Sequence, residues 1–310
     1  MFAFIKYLRL VMTLKQLEAF YWAATCTNFA IAAQRLNLSI SSLSKRVAEL
    51  EISLGTTLFD RSGHRAILTQ AGQDLLARSI HLLDLAANIK RSMTKASGLS
   101  GYCAFGVGEL SAMTWLPSLV ASARRHHPNL HLDPCVDVGA TLEDRLNHGE
   151  LDFAIIAGRS SRHGIMSQPF VEAEFVWMAA SSLAGDDSTC AALLKRGVPL
   201  IALPPLAGTT QLIDDWLNVN QITHVERISC NNWSAIVGML TLSVGVGIVP
   251  SGWAERLADK GVLRRLADKN LLAPLAYSFQ WRRDDTRPLV KEMRELVRIT
   301  ADFLQAVSFA

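Results

Sequence analysis

Between Asn28 and Gly55, two runs of helical apolar period are separated only by Asn37-Leu38-Ser39, so the two segments must pack across each other. Asn28 is placed to cap a short helix from Phe29 to Leu36, with Ala32, Ala33 and Leu36 inward. A longer helix from about Ser41 turns Leu43, Val47, Leu50 and Leu54 to one face, and Gly55 is placed to end it. Upstream, Thr13-Leu14-Lys15-Gln16 has the form of a capping box, and Leu17, Phe20, Tyr21 and Ala24 recur behind it at helical spacing. Together these segments spell a helix-turn-helix.

The opposite face of the third helix carries Ser41, Ser42, Ser44, Lys45, Arg46 and Glu49. Hydroxyls and cations near a helix start suit base edges and phosphates in a major groove, and Ser39 in the turn belongs to the same set. The face serves equally as the solvated side of an ordinary three-helix unit. The residues after Gly55 favour the DNA-facing reading. Leu58–Arg61 and Arg65–Leu68 are short β-prone runs around Ser62-Gly63-His64, a hairpin that would present Arg61, His64 and Arg65 as a wing beside DNA. Thr69 then caps a long helix to about Ala96, whose apolar residues Leu75, Leu76, Ile80, Leu82, Leu83, Ala86, Ile89 and Met93 form a stripe too broad for so small a unit to bury. A second copy of the same helix is the simplest cover. Charge points the same way: residues 1–97 hold 12 Lys and Arg against 6 Asp and Glu, and the remainder 19 against 22.

From Met12 to about Met93 the order and spacing resemble the LysR-type transcriptional regulators. The matching residues are Leu14, Leu17 and Phe20; Phe29, Ala32, Ala33 and Leu36-Asn37-Leu38-Ser39; Leu43-Ser44-Lys45, Val47 and Leu50-Glu51; Leu54-Gly55, Leu58-Phe59 and Arg61; and Leu68-Thr69 with Ala71-Gly72. Ile40 and Ser41 stand where the family usually has Gln and Pro, so its sequence preference does not transfer; Ile40 could meet a thymine methyl. The resemblance implies a winged helix-turn-helix over residues 12–69 and a linker and dimerisation helix over 70–97.

After Ser97-Gly98, strand-like and helix-like runs alternate. Tyr102–Gly108, Leu130–Val138, Leu151–Ile156, Glu174–Ala179, Leu200–Leu203, Gly247–Val249 and Leu275–Trp281 read as strands. Leu116–His127, Leu142–Asn147, Thr209–Leu217, Ser234–Ser243 and Pro288–Gln305 read as helices. Such alternation implies an open, mainly parallel α/β sheet, which binds ligands where strand ends meet helix N-termini. The turns at Glu109-Leu110-Ser111, Gly139-Ala140-Thr141, Gly208-Thr209-Thr210 and Asn231–Ser234 bring hydroxyls and N–H groups suited to a carboxylate. Each hydroxyl taken singly is explained as a helix cap.

Gly149-Glu-Leu-Asp152-Phe-Ala-Ile155 and Ser243–Pro250 resemble the family's effector domain, a two-lobed α/β fold like that of periplasmic binding proteins. The resemblance implies an effector domain over 98–310, with lobe I at about 98–168 and 275–310 and lobe II at about 169–274. The chain would cross between them near Gln168–Phe170. It places a small-molecule effector near Glu109, Ser111, Thr114, Thr141, Arg159, Thr209 and Trp233, and Glu109 would then meet an amine or hydroxyl of the effector, or solvent. It further implies double-stranded DNA as partner, a homodimer or dimer of dimers, and RNA polymerase.

No GxSxG elbow, Walker loop or HExxH motif occurs, so no catalytic residue, metal or cofactor is expected. The five scattered cysteines, with no CxxC pair, suit a reducing compartment and read as buried thiols rather than a redox switch. His126-His127 reads as cationic helix-end residues, and Arg124-Arg125 and Arg282-Arg283 as solvated faces. Residues 1–11 read as an upstream extension rather than a signal peptide, and the uncharged run Ile228–Ala254 as a buried helix turning into a buried strand. A cytoplasmic protein with no membrane partner is the expectation. The competing class is a two-lobed solute-binding protein without a transcriptional role, which would need an export signal and no basic helix-turn-helix.

Overall fold

The computed structural model describes residues 12–26, 28–62, 66–93, 98–185, 188–205, 207–259 and 261–304. Expectations that fall on residues 1–11, His64 and Arg65 lie outside them.

Helix α1 (Leu14–Thr25) opens with a complete capping box: the Thr13 hydroxyl accepts the Gln16 N–H at 3.2 Å, and the Gln16 side chain accepts the Thr13 N–H at 2.9 Å. Asn28 caps α2 (Phe29–Arg35) through the Ile31 N–H. Helix α3 (Ile40–Leu54) starts slightly earlier than the pattern suggested, because the Ser39 hydroxyl accepts the Ser42 N–H and makes Ser39 the cap. It ends at Gly55, whose φ of 66° is left-handed and needs no side chain. Phe20, Ala32, Ala33, Leu43, Val47, Leu50 and Leu58 close a small core.

Strands β1 (Phe59–Asp60) and β2 (Ile67–Leu68) pair antiparallel as the wing. Phe59 packs edge-on against Phe20 and Phe29, and the Glu51 carboxylate accepts the N–H groups of Leu58 and Phe59, tying the wing to α3. Helix α4 (Gln70–Met93) leaves Leu82, Leu85 and Ile89 exposed along one side.

Beyond Gly98 the chain runs β3 (Ser100–Val107), α5 (Glu109–Met113), α6 (Leu116–His126), β4 (Asn129–Val136), α7 (Gly139–Asn147), β5 (Phe153–Ala157) and β6 (Ile165–Ala173). It continues through β7 (Phe175–Ala180), α8 (Cys190–Lys195), β8 (Leu200–Ala202), α9 (Gly208–Val219), β9 (Arg227–Ser229) and α10 (Trp233–Thr241). The last elements are β10 (Val246–Pro250), α11 (Ser251–Asp259), β11 (Leu263–Arg265), β12 (Leu275–Arg282) and α12 (Pro288–Thr300).

The strands form two five-stranded sheets, one per lobe, ordered β4-β3-β5-β12-β6 and β11-β7-β10-β8-β9. Neither sheet is mainly parallel. In each, helical crossovers make two parallel pairings, and a strand shared between two antiparallel neighbours, β12 in lobe I and β7 in lobe II, makes the others. Strand β6 pairs along the whole of β12 through a bulge, so the chain leaves lobe I at Glu174, a little beyond the expected Gln168–Phe170. Phe105, Phe153 and Phe279, on three adjacent strands, stack with ring centroids 5.0 and 4.7 Å apart and stiffen lobe I.

Two expectations are corrected. Arg282 is buried rather than solvated, because its guanidinium donates to the Thr25 carbonyl at the end of α1. His127 is no helix-end cation: it is buried, its Nδ1 accepts the Leu99 N–H at 3.0 Å, and burial pulls its pKa below the ordinary histidine value. The uncharged run does become helix α10 followed by the fully buried strand β10. No described helix is long and apolar enough to cross a membrane.

Candidate nucleic-acid interface and effector cleft

The polar face of α3 stands clear of the small core because Leu43, Val47 and Leu50 occupy the other side of the same helix. Ser41, Ser42 and Lys45 are exposed, while Ser44 and Arg46 are half-buried. The hydroxyls of Ser39, Ser41 and Ser42 form one cluster, with oxygen separations of 2.8 and 3.0 Å around Ser39. That cluster crowns the N-terminus of α3, where N–H groups and the helix dipole favour a phosphate. Lys45 and Arg46 carry no ion pair among the described residues, whereas half-exposed Arg61 reaches the Glu51 carboxylate at 3.4 Å. Ile40, at the start of the helix, is more than half exposed.

Between the two sheets lies a cavity of about 520 Å³. Of the expected effector residues it is lined by Glu109, Arg159, Thr209 and Trp233. Ser111, Thr114 and Thr141 do not line it: Ser111 is fully buried, and the Thr114 hydroxyl donates back to the Leu110 carbonyl at 2.7 Å. The pattern of turns missed Tyr277 and Gln280 on β12. Gln280 carried a signal, a polar residue inside the apolar run Leu275–Trp281.

Helices α7 and α9 begin at the cavity with Val138 and Ala207 as caps, and neither cap makes a side-chain hydrogen bond. Thr13, Asn28, Ser39 and Thr189 cap their helices through side chains, whereas Gly108, Trp115 and Arg287, like Val138 and Ala207, make no such bond. The Thr209 hydroxyl and the Gln280 carbonyl oxygen are buried at this wall without a partner among the described residues. Arg159 is exposed and likewise without an ion pair among them. The N-terminus of α10 is already engaged: Asn232 caps it, and the Glu109 carboxylate from lobe I accepts the Trp233 N–H at 3.1 Å and the Asn232 side-chain N–H at 2.8 Å. Burial pushes the Glu109 pKa up, and the Trp233 N–H pulls it only part of the way back. The cleft can therefore hold an anion at α7, α9 and Arg159, beside an internal carboxylate.

Known proteins resemble this chain over both of its parts. Residues 14–73 match the family model described as the bacterial regulatory helix-turn-helix protein of the lysR family, and residues 96–302 the LysR substrate binding domain. The uncharacterised HTH-type transcriptional regulator YusT of Bacillus subtilis is 25% identical over 268 residues, covering 86% of this chain and 89% of that one. A probable hydrogen peroxide-inducible genes activator of Streptomyces viridosporus is 30% identical over 165 residues, 53% of each chain. Among solved structures, ArgP from Mycobacterium tuberculosis shares the fold with a TM-score of 0.64 at 21% identity, covering 94% of this chain and 97% of that one.

Proposed function

The chain belongs to the LysR family of bacterial transcriptional regulators, as a DNA-binding regulator with an effector-binding domain, and from that premise we propose how it works. The winged module of residues 12–69 binds one half-site of an approximately palindromic operator. Helix α3 enters the major groove, with Ser41, Ser42 and Ser44 meeting bases or phosphates and Ser39 the backbone. Lys45, Arg46, Arg61 and Arg65 supply the salt-dependent part of the affinity. The observation that carries this reading is the serine-crowned N-terminus of α3, exposed and beside two cations without ion pairs among the described residues.

The linker of residues 70–97 joins two copies, the exposed Leu82, Leu85 and Ile89 supplying the seam. Dimers pair again into a tetramer that contacts RNA polymerase in the cytoplasm. Lobe I, residues 98–173 and 275–310, and lobe II, residues 175–274, close on a small effector carrying a carboxylate. Arg159, Thr209 and the N-termini of α7 and α9 hold it, and binding favours one arrangement of the assembly over another. Gel shift of the full-length protein on the upstream region of its own operon tests the DNA half; no retarded band at low salt overturns it. A thermal-shift screen of small aromatic and aliphatic acids tests the effector half, and absence of any stabilising acid overturns that.

A further inference from the structure

The winged module and lobe I meet at one buried ionic knot. Asp152, the residue before β5, is fully buried; its Oδ1 accepts Arg35 Nη1 from α2 at 2.7 Å and Arg287 Nη2 at 2.6 Å. Its other oxygen accepts the Ala104 N–H of β3 at 2.8 Å. Asp285 pairs with Arg287, so two carboxylates balance two guanidiniums. The guanidiniums of Arg35 and Arg287 lie 4.6 and 5.1 Å from the centre of the Trp22 ring of α1. Around the knot, Arg282 donates to the Thr25 carbonyl at 2.9 Å, and the Cys26 thiol meets the Gly149 carbonyl at 3.7 Å. A Cβ at Gly149, where φ is 76°, would collide with Arg282 and stand 2.9 Å from the Thr25 oxygen. The fit is made by both partners.

A buried ion pair of this kind adds little net stability but is exacting about geometry, and its charges can return to water when it opens. It therefore suits a reversible joint better than a permanent core. Its position in lobe I gives the joint a reach. Strand β3, whose Ala104 N–H binds Asp152, ends at Val107 just before Glu109; β5 starts directly after Asp152 and ends at Ala157, short of Arg159; β12 carries the cleft residues Tyr277 and Gln280 and ends at Arg282. All three strands thus span from cleft to knot, and the stacked Phe105, Phe153 and Phe279 tie them together.

We infer that Asp152 of lobe I, with Arg287 and Arg282, forms a docking site for the winged module's Arg35 and Trp22, fixing the orientation of the DNA-reading helix relative to the effector cleft. The docked state leaves Ser41, Ser42 and Lys45 exposed, so the joint orients the reading head rather than covering it. The docking stands on its own contacts; only its role in relaying effector binding rests on the function proposed above.

Amide hydrogen exchange on the full-length protein tests the docking without DNA or effector. In Arg35→Met, exchange over residues 149–152 and 282–287 is expected to accelerate by about a hundredfold, while α1 and α3 amides stay protected. Gly149→Ala, made on the other side, is expected to expose Thr25 and Cys26 in the same way. Unchanged exchange in lobe I for Arg35→Met, with the module still folded, overturns the inference. If Arg35→Met unfolds the module, Gly149→Ala decides: unchanged exchange at Thr25 and Cys26 overturns it. Wild-type protection that fades on dilution also overturns it, since the contact would then lie between copies.

Discussion

The Glu109 carboxylate of lobe I sits 3.1 Å from the backbone N–H of Trp233, the first residue of a helix on lobe II. One side chain thus bridges the cleft and occupies a helix N-terminus where an anionic ligand would otherwise bind. Its raised pKa fixes the direction of the pH effect. Below that pKa Glu109 is neutral and repels an anion less, so carboxylate binding to the wild type is expected to tighten as pH falls through it. Glu109→Gln is expected to bind acids from a small-carboxylate panel about tenfold tighter at pH 7.5, with this pH dependence gone. Calorimetric titration at several pH values checks both, and equal affinities for the two proteins would sink the idea.

Arg46→Ala is expected to lower the slope of log affinity against log salt by about one, weakening binding to specific and random duplexes alike. Fluorescence anisotropy across a salt series measures this. An unchanged slope removes Arg46 from the phosphate contacts.

Leu85→Glu places a charge in the exposed stripe of α4, between Leu82 and Ile89. Burying that carboxylate in a helix pair is unfavourable, so light scattering is expected to show dissociation to monomers at micromolar concentration. A dimer that survives moves the seam elsewhere.

His127 makes stability depend on pH. Its imidazole must stay neutral to accept the Leu99 N–H, and burial depresses its pKa. Below about pH 6.5 the unfolded chain takes up a proton that the folded site resists, so this contribution is present at neutral pH and lost on acidification. His127→Ala is expected to cost about 1–3 kcal/mol at pH 7.5 and progressively less towards pH 5, as read from denaturation midpoints. A constant difference across that range argues against it.

Peroxide sensing does not follow from the likeness to a peroxide-inducible activator. Burial, aided by Asp268, holds the Cys190 thiol far above the ordinary range, and Cys103 is buried likewise. Thiolate is the reactive form, so peroxide is expected to leave operator affinity unchanged within about twofold. A large peroxide-dependent change would show that a less buried thiol, Cys135 or Cys230, reacts.

The helix-turn-helix was legible because its signals are local. The capping box at Thr13 and Gln16, the cap at Asn28 and the stop at Gly55 each act within one turn of chain. The α/β alternation was legible for strands with continuous apolar runs, such as β5 and β10. Short strands β9 and β11 and the polar-rich β6 escaped, because their hydrogen bonds come from distant partners rather than from their own composition. Glu109, Thr209 and Trp233 of the cleft could be placed from turns before helices. The partners of Asp152 could not, since nothing near Arg35 or Arg287 in the chain says that a carboxylate more than a hundred residues away lies between them.

The knot grips α1 and α2, while the exposed serines crown α3. If the function proposed above holds, target choice and allosteric wiring sit on separate residues. On that reading, exchanging Ile40, Ser41 and Ser42 would redirect the protein to another promoter while leaving it answerable to the same metabolite, a short route by which duplicated genes would reach new regulons.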